Sequence, residues 1–334
     1  AQAMLDVDSL LQQGFHLPRP FTLTLQLPEL DSAAAARPSR FEKAANHPYR
    51  HVPRHHYTWQ GSAGHDGQHL TLSSPSPFGV ASGLYGLLQE QLGYCFYHPR
   101  QTLIPQHRTW PLPEGFSWHA KPRFDKKGFH LHTMHPIELA EPLMNHELPG
   151  GLAYVKEYID WLARNGQNYF EFNLLESIDL DEWPAYAAQF VDYGHSRSIQ
   201  MGLDVSLHMV QQKAFQLYRT VPNSFRKKEK QMRMRVEKLF RADWDYWNVE
   251  FSSTEFSKGN VARKTELRLL LNKLVRNHGA KLMGREHVVK PENMMRETKP
   301  EETLPLSSEQ ERLDAQRGIL SHTVMCYGLT DESA

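Results

Sequence analysis

From Lys121 onward the chain alternates short apolar runs of strand length with longer segments whose apolar residues recur every three or four positions. Such alternation leaves little freedom of topology. Each helical crossover returns the chain to the same end of the sheet, so successive strands must pair in parallel. Strands read at Gly128–Thr133, Tyr169–Leu174, Ile199–Leu207, Tyr246–Phe251, Leu282–Val289 and His322–Tyr327. Between them, Tyr154, Val155, Tyr158, Ile159 and Leu162 make one helical face that stops at Asn165-Gly166. Tyr186, Phe190 and Val191 lie on a second helix, and Leu267, Leu270, Leu271 and Leu274 on a later one. Ser307-Ser-Glu-Gln310 reads as a helix start. Six such units fit the front of an eight-stranded barrel of about 250 residues. The expected class is therefore α/β, with an incomplete (β/α)8 TIM-type barrel over 121–334, truncated at its C-terminal end. No further strand reads before Ala334, and an open sheet would leave two unpaired edges.

Residues 1–118 read differently, as a small α+β unit. Phe21–Leu27 and His69–Ser73 alternate apolar and polar residues with period two, the pattern of half-buried strands, and His56–Trp59 is a third. After Pro75 and Pro77, the residues Val80, Leu84, Leu87, Leu88 and Leu92 share one helical face, with Gly93 placed for a C-terminal cap and a short strand at Tyr94–Tyr97.

Composition narrows the function classes. Among 334 residues, 38 basic and 38 acidic side chains cancel, and an electrostatic nucleic-acid binder needs a basic excess. The basic stretch Arg226–Arg235 reads as the wet face of a barrel helix, with Met232, Val236, Leu239 and Phe240 turned inward. Apolar runs such as Leu269–Leu271 fall far short of the about 20 residues a spanning helix needs, so no membrane partner is expected. Two cysteines, Cys95 and Cys326, make neither a disulfide framework nor a metal quartet. The opening Ala-Gln-Ala-Met carries no charged n-region or apolar h-region, and a mature periplasmic or secreted protein would read the same way, so the compartment stays open.

The run Gly83-Leu-Tyr-Gly-Leu-Leu-Gln-Glu-Gln-Leu-Gly93, followed by Tyr97-His-Pro99 and Thr102-Leu-Ile-Pro105, resembles the small α+β domain that precedes the barrel in β-N-acetylhexosaminidases, α-glucuronidases and O-GlcNAc hydrolases. The resemblance implies a barrel beginning near Lys127-Gly128-Phe129-His130. It also implies a glycoside hydrolase acting on a terminal amino-sugar or uronic-acid glycoside, with a carbohydrate as partner and no cofactor.

Barrel chemistry lies at the C-terminal ends of the strands. That rule shortens the roll of acids to Glu138, Glu176, Asp204, Glu255, Glu286 and Asp331. Glycoside hydrolysis needs one carboxylic acid to protonate the leaving oxygen and a second group to meet the oxocarbenium centre. In the families resembled, the acid follows strand four, which points to Glu255. The aspartate that precedes it in hexosaminidases is Thr254 here, which places substrate-assisted cleavage in doubt and brings Glu286 and Asp331 forward as base or stabiliser. His132, His135, His208, Trp247, His287 and Tyr327 are the expected substrate-binding residues. Trp247 and Tyr327 would offer flat apolar faces to a pyranose ring.

The histidines support a rival chemistry. His130 and His132 share a face of strand one, with His287 on strand five and His322 on strand six, a pattern that resembles metal-dependent amidohydrolases and would hold zinc. No bridging lysine stands on strand four. A third reading is an inactive carbohydrate-binding relative or fragment.

Overall fold

Alternation along the first strands decides which of their sides is buried. A computed structural model describes residues 2–15, 21–27, 56–64, 67–107, 109–122, 126–132, 136–207, 213–219, 224–250, 261–288 and 319–323, with Phe21, Glu250, 261–265, 284–288 and 319–323 described by backbone alone. Strands β1 (Phe21–Gln26), β2 (Tyr57–Gly64) and β3 (Gly67–Ser73) come first, then a hairpin of β4 (Cys95–His98) and β5 (Gln101–Leu103), then β6 (Ser117–Ala120). The four-stranded sheet has the order β1-β3-β2-β6, with β1 parallel to β3 and the other neighbours antiparallel. Along β3, Gln68, Leu70 and Leu72 are buried while His69, Thr71 and Ser73 are half-buried, the expected period of two.

The buried side of this sheet receives the Pro77–Gly86 helix. Ser76 caps it, its hydroxyl accepting from the Gly79 N–H at 3.0 Å, and Pro77 fills the first helical position, where a missing N–H costs nothing. The glycines of the Gly-x-x-Gly run are there because helix and sheet nearly touch. A Cβ on Gly83 would lie 2.7 Å from Leu72 Cδ1, and one on Gly86 would strike the Tyr57 hydroxyl. The last turn widens to a π-helix at Leu87–Gln91 before Gly93 reverses the chain at φ +77°.

Two helices lie where none was expected. Gln2–Gly14 buries Val7 and Leu10, with Met4 and Leu11 packed beside them. That spacing of three and four is a helical signal. Ile137–Met144 is disguised by Pro142, a residue that ordinarily breaks a helix interior.

The second sheet carries β7 (Gly128–Leu131), β8 (Tyr169–Asn173), β9 (Gln200–Ser206), β10 (Tyr246–Glu250), β11 (Lys281–Val288) and β12 (Ile319–Thr323). Its spatial order follows chain order, and every pair is parallel. The final strand begins at Ile319 rather than His322, and the Ser307–Gln310 helix start lies outside the described residues. The chain is thus mixed α/β. Among the described residues the sheet is not a closed barrel, because β7 and β12 stand at its two edges. Helices Gly151–Arg164, Trp183–Ser196, Phe225–Leu239 and Val261–Asn277 connect the strands. Facing them are Phe170, Phe172, Leu203, Trp247 and Val249, all at most 1% exposed. Phe225–Leu239 buries Met232, Val236 and Leu239, as the reading of its basic face requires. No described helix is long and apolar enough to cross a membrane.

A polar knot joins the opening helix to the second sheet's helices. The Arg164 guanidinium forks onto Asp6 at 2.9 and 2.7 Å, Tyr85 donates to the same carboxylate at 2.8 Å, and Arg197 donates to the Tyr85 hydroxyl at 2.7 Å. Burial works to raise the Asp6 pKa, but the bond and charge of Arg164, with Tyr85 and Arg197, outweigh it and hold the carboxyl below its ordinary value. Asp6→Ala strands the Arg164 guanidinium, while Arg197 keeps Asp160 at 2.8 Å, so it should cost about 3 kcal/mol of unfolding free energy in urea titrations. The exposed neighbour Leu5→Ala should cost no more than about 0.5 kcal/mol.

Candidate functional site

Among the described residues no helix covers one face of the second sheet, and that helix-free face is lined by the alternate residues of each strand. Register sets Tyr169, Glu171 and Asn173 of β8 beside Gln200, Gly202 and Asp204 of β9, with Tyr246 and Asn248 of β10 next. The pattern along β8, Tyr-Phe-Glu-Phe-Asn, therefore sends two phenylalanines to the helices and three polar side chains to this face. Glu171, Asn173, Gln200, Asp204, Ser206 and Asn248 are nevertheless all buried. Buried polar groups on that scale need mutual partners, and Glu171 has three.

Glu171 is at the centre and is 0% exposed. His130 Nδ1 approaches its Oε1 at 2.6 Å, the Asn248 amide donates to the same oxygen at 2.9 Å, and the Tyr169 hydroxyl donates to Oε2. Asn248 stands two strands away. The carboxylate reaches it over β9 because the intervening residue is Gly202, where a Cβ would lie 3.1 Å from Glu171 Cβ. Burial pushes the Glu171 pKa up, but the hydrogen bond and charge of His130, then the Tyr169 and Asn248 bonds, outweigh it and hold the group below its ordinary value. The other edge of the His130 ring faces a second carboxylate, with Nε2 3.6 Å from Asp204 Oδ2. His132, on the same face, has Nδ1 2.8 Å from the Asn173 amide nitrogen.

At the opposite, N-terminal end of the strands, Lys126 forms a floor. Its ammonium sits 3.6 Å above the Tyr246 ring and 4.4 Å above the Tyr169 ring. Burial and then the nearby Lys281 charge lower its pKa to about 8. The Tyr246 hydroxyl donates to Gln200 at 2.6 Å, which closes that end with a satisfied polar layer.

The structure brings together some of the residues singled out in the sequence. His130, His132 and Asp204 share this face. Backbone register sets His287 beside His322, but their side chains, like that of Glu286, lie outside the described ones. Glu255, Asp331, His135, His208 and Tyr327 lie outside the described residues altogether. Trp247, expected against a sugar, is instead fully buried on the helix side, stacked on Phe240 at 4.8 Å. Its position between Tyr246 and Asn248 forces that orientation. Glu138 is exposed on the Ile137–Met144 helix, and Glu176 is engaged by Arg235 at 3.3 Å. Glu171 and Asn248 were missed because their strands read as plain core, although period-two alternation of polar residues inside both strands was the available signal. Among the described residues, no group of three or more His, Cys, Asp or Glu side chains is arranged to hold a metal ion.

No family model and no curated protein matches this chain. Among solved structures it is similar to the GH20 β-N-acetylhexosaminidase from Streptomyces coelicolor A3(2), with a TM-score of 0.52 and 12% identity over 97% of this chain and 68% of that one. It is also similar to the GH20 exo β-N-acetylglucosaminidase from Vibrio harveyi, solved in complex with N-acetylglucosamine, with a TM-score of 0.51 and 10% identity over 97% and 52%. A GH115 4-O-methyl-α-glucuronidase with specificity for decorated arabinogalactans gives a TM-score of 0.50 and 11% identity over 95% and 54%. The chain has the fold of these glycoside hydrolases, and it spans about half the length of the latter two.

Because the Glu171 carboxyl titrates below its ordinary value in the fold, its ionisation stabilises the folded chain above that value. The contribution is lost as pH falls through the lowered pKa. The gap in unfolding free energy between wild type and Glu171→Gln should therefore narrow between neutral pH and about pH 3 in urea titrations. A gap that does not change with pH would mean that the buried group carries no charge.

Proposed function

We propose that this protein is a glycoside hydrolase that releases a terminal amino-sugar or uronic-acid residue by carboxylic acid/base catalysis. The observation that carries the reading is the buried carboxylate–histidine cluster of Glu171, His130 and Asp204 on the helix-free face of a sequentially ordered parallel sheet. A sugar presents many hydroxyls, and such a face supplies anchored donors and acceptors to meet them. Fold likeness to glycosidases supports the same class, though fold alone never carries an activity.

In this reading residues 1–118 form the preceding α+β domain, and 121–334 the catalytic part of a TIM-type barrel. β10 ends at Glu250, so Glu255 follows the C-terminal end of strand four and is assigned as the general acid. It protonates the departing oxygen while positive charge develops at the anomeric carbon. Glu286 or Asp331 serves as base or stabiliser for the attacking group. Thr254 carries no charge, so the acetamido group of an N-acetyl sugar would lack the usual orienting carboxylate, which favours a mechanism with water or a carboxylate as nucleophile. His132, His135, His208, His287 and Tyr327 are assigned to hydroxyl and ring contacts.

Glu255→Gln keeps the shape and removes the proton. Turnover of 4-nitrophenyl glycosides of N-acetylglucosamine or glucuronic acid should fall by at least about 10²-fold with the thermal transition unchanged. Retained turnover removes Glu255 from the mechanism. Metal analysis of the purified wild type separates the zinc reading, since one tightly held equivalent of zinc would favour a hydrolase built on His130, His132, His287 and His322.

A further inference from the structure

The Phe225–Leu239 helix carries seven basic and two acidic residues in a chain whose net charge is zero. Its C-terminal half spends its cations inside the molecule. Arg233 closes on Glu229 at 2.8 Å, Arg235 reaches Glu176 at 3.3 Å, and Lys238 meets Asp181. Arg226, Lys227 and Lys230 are different. All three are exposed, and among the described residues no acidic side chain pairs with them. Their placement works against the helix that bears them. Arg226 and Lys230 are four apart, and Lys227 and Lys230 three apart, so like charges are neighbours on its surface. They also crowd the first two turns, where the helix dipole already concentrates positive charge, and the first turn holds no acidic residue. An anion from outside relieves both repulsions.

Topology puts these turns at the rim of the polar face. A crossover helix runs antiparallel to the strands it joins, so its N-terminus lies at their C-terminal ends. The segment that follows β9 is tied to the helix there. The Arg219 N–H donates to Gln231 at 3.0 Å, and Arg235 donates to the carbonyl of Gln216, which bridges to Ser206 at the end of β9.

We propose that the exposed ridge of Arg226, Lys227 and Lys230 is a docking surface for an acidic polysaccharide, holding uronate carboxylates of the polymer chain beside the sugar-cleaving face. The inference rests on the glycosidase reading and deepens it, since it concerns the chain that carries the terminal sugar. Carboxylates spaced along a polymer match cations spaced along a helix, and each cation ends a flexible apolar stem that can follow a mobile chain. Other polyanionic partners fit less well. The balanced charge of the chain lacks the basic excess of a nucleic-acid binder, and the ridge presents no exposed aromatic ring on which bases could stack. A helix that lies in a membrane surface turns its apolar side to lipid, whereas Met232, Val236 and Leu239 are buried against the protein. The ridge binds and orients and breaks no bond. Its loss therefore weakens capture of the polymer and leaves turnover of a small aryl glycoside as it was.

The test measures binding of wild type and of a triple variant, Arg226→Gln with Lys227→Gln and Lys230→Gln, at physiological salt. The probes are polygalacturonate, its carboxyl-reduced neutral form, duplex DNA and phosphatidylglycerol vesicles. Wild type should bind polygalacturonate and not the neutral polymer, and added salt should weaken the complex. The triple variant should bind about tenfold more weakly, with turnover of 4-nitrophenyl glucuronide unchanged. Its thermal midpoint should hold or rise, because the substitutions remove like-charge neighbours from the start of a helix. No binding of polygalacturonate by wild type, equal affinity in the triple variant, or equal affinity for the neutral polymer would overturn the proposal. Tighter binding of DNA or vesicles through the same three residues gives the surface to another partner and overturns it too. If the triple variant does not fold, Lys230→Gln alone carries the binding arm, and an affinity unchanged in it sinks the ridge. The two readings fail separately. Polymer bound through the ridge with no aryl glycoside cleaved leaves the surface standing and removes the glycosidase, whereas cleavage without polymer binding does the reverse.

Discussion

Six parallel strands laid down in chain order impose a one-sided architecture. Crossovers between parallel strands are right-handed, and when each one steps the same way along the sheet they all pass over the same face. The described helices therefore cover one side, and Phe170, Phe172, Leu203 and Trp247 disappear beneath them. Among the described residues, no helix covers the other side. It must be filled by its own side chains, and this chain fills it mostly with polar ones. Tyr169, Tyr246 and Met283 are packed on that side as a small cluster separate from the main core. That one face is left to its own side chains follows from the topology before any residue is considered.

What equips that face is a set of mutual debts among buried polar groups. Glu171 would be intolerable alone in a dry interior, and it is tolerable because His130, Tyr169 and Asn248 converge on it. The polar knot at the helix layer works by the same logic, with Asp6 and Asp160 between them balancing Arg164 and Arg197 at the seam between the opening helix and the sheet's helices. In both places short hydrogen bonds to a carboxylate fix geometry that apolar packing would leave free to slide. The first site holds the His130 ring beside Glu171, and the second ties the opening helix to the helices of the second sheet.

The alternation of strands and helices was legible, and all six parallel strands stand within a few residues of where periodicity places them. The Gly-x-x-Gly helix was legible as well, although only the packed structure explains its glycines, through Leu72 and Tyr57. The candidate site was less so. His130, His132 and Asp204 could be named from strand ends and spacing, whereas Glu171 hid inside a run that looked like plain core, and Trp247 looked like a sugar platform when counting from Tyr246 would have turned it to the helices. The Ile137–Met144 helix was obscured by a proline whose tolerance depends on its burial beside Leu139 and Leu143.

Local covalent periodicity is a property of the chain alone, so the sequence by itself determined the strands, the crossovers, their parallel sense and the two faces of each strand. Register is a property of neighbours. Only the tertiary structure decided that His130 and Glu171 lie side by side, that Gly202 opens a path from Glu171 to Asn248, and that Asp6 meets two arginines more than a hundred residues away. The reason is physical: whether a buried charge is tolerable depends on donors supplied by other strands, and no periodicity within one segment can say which donors those will be.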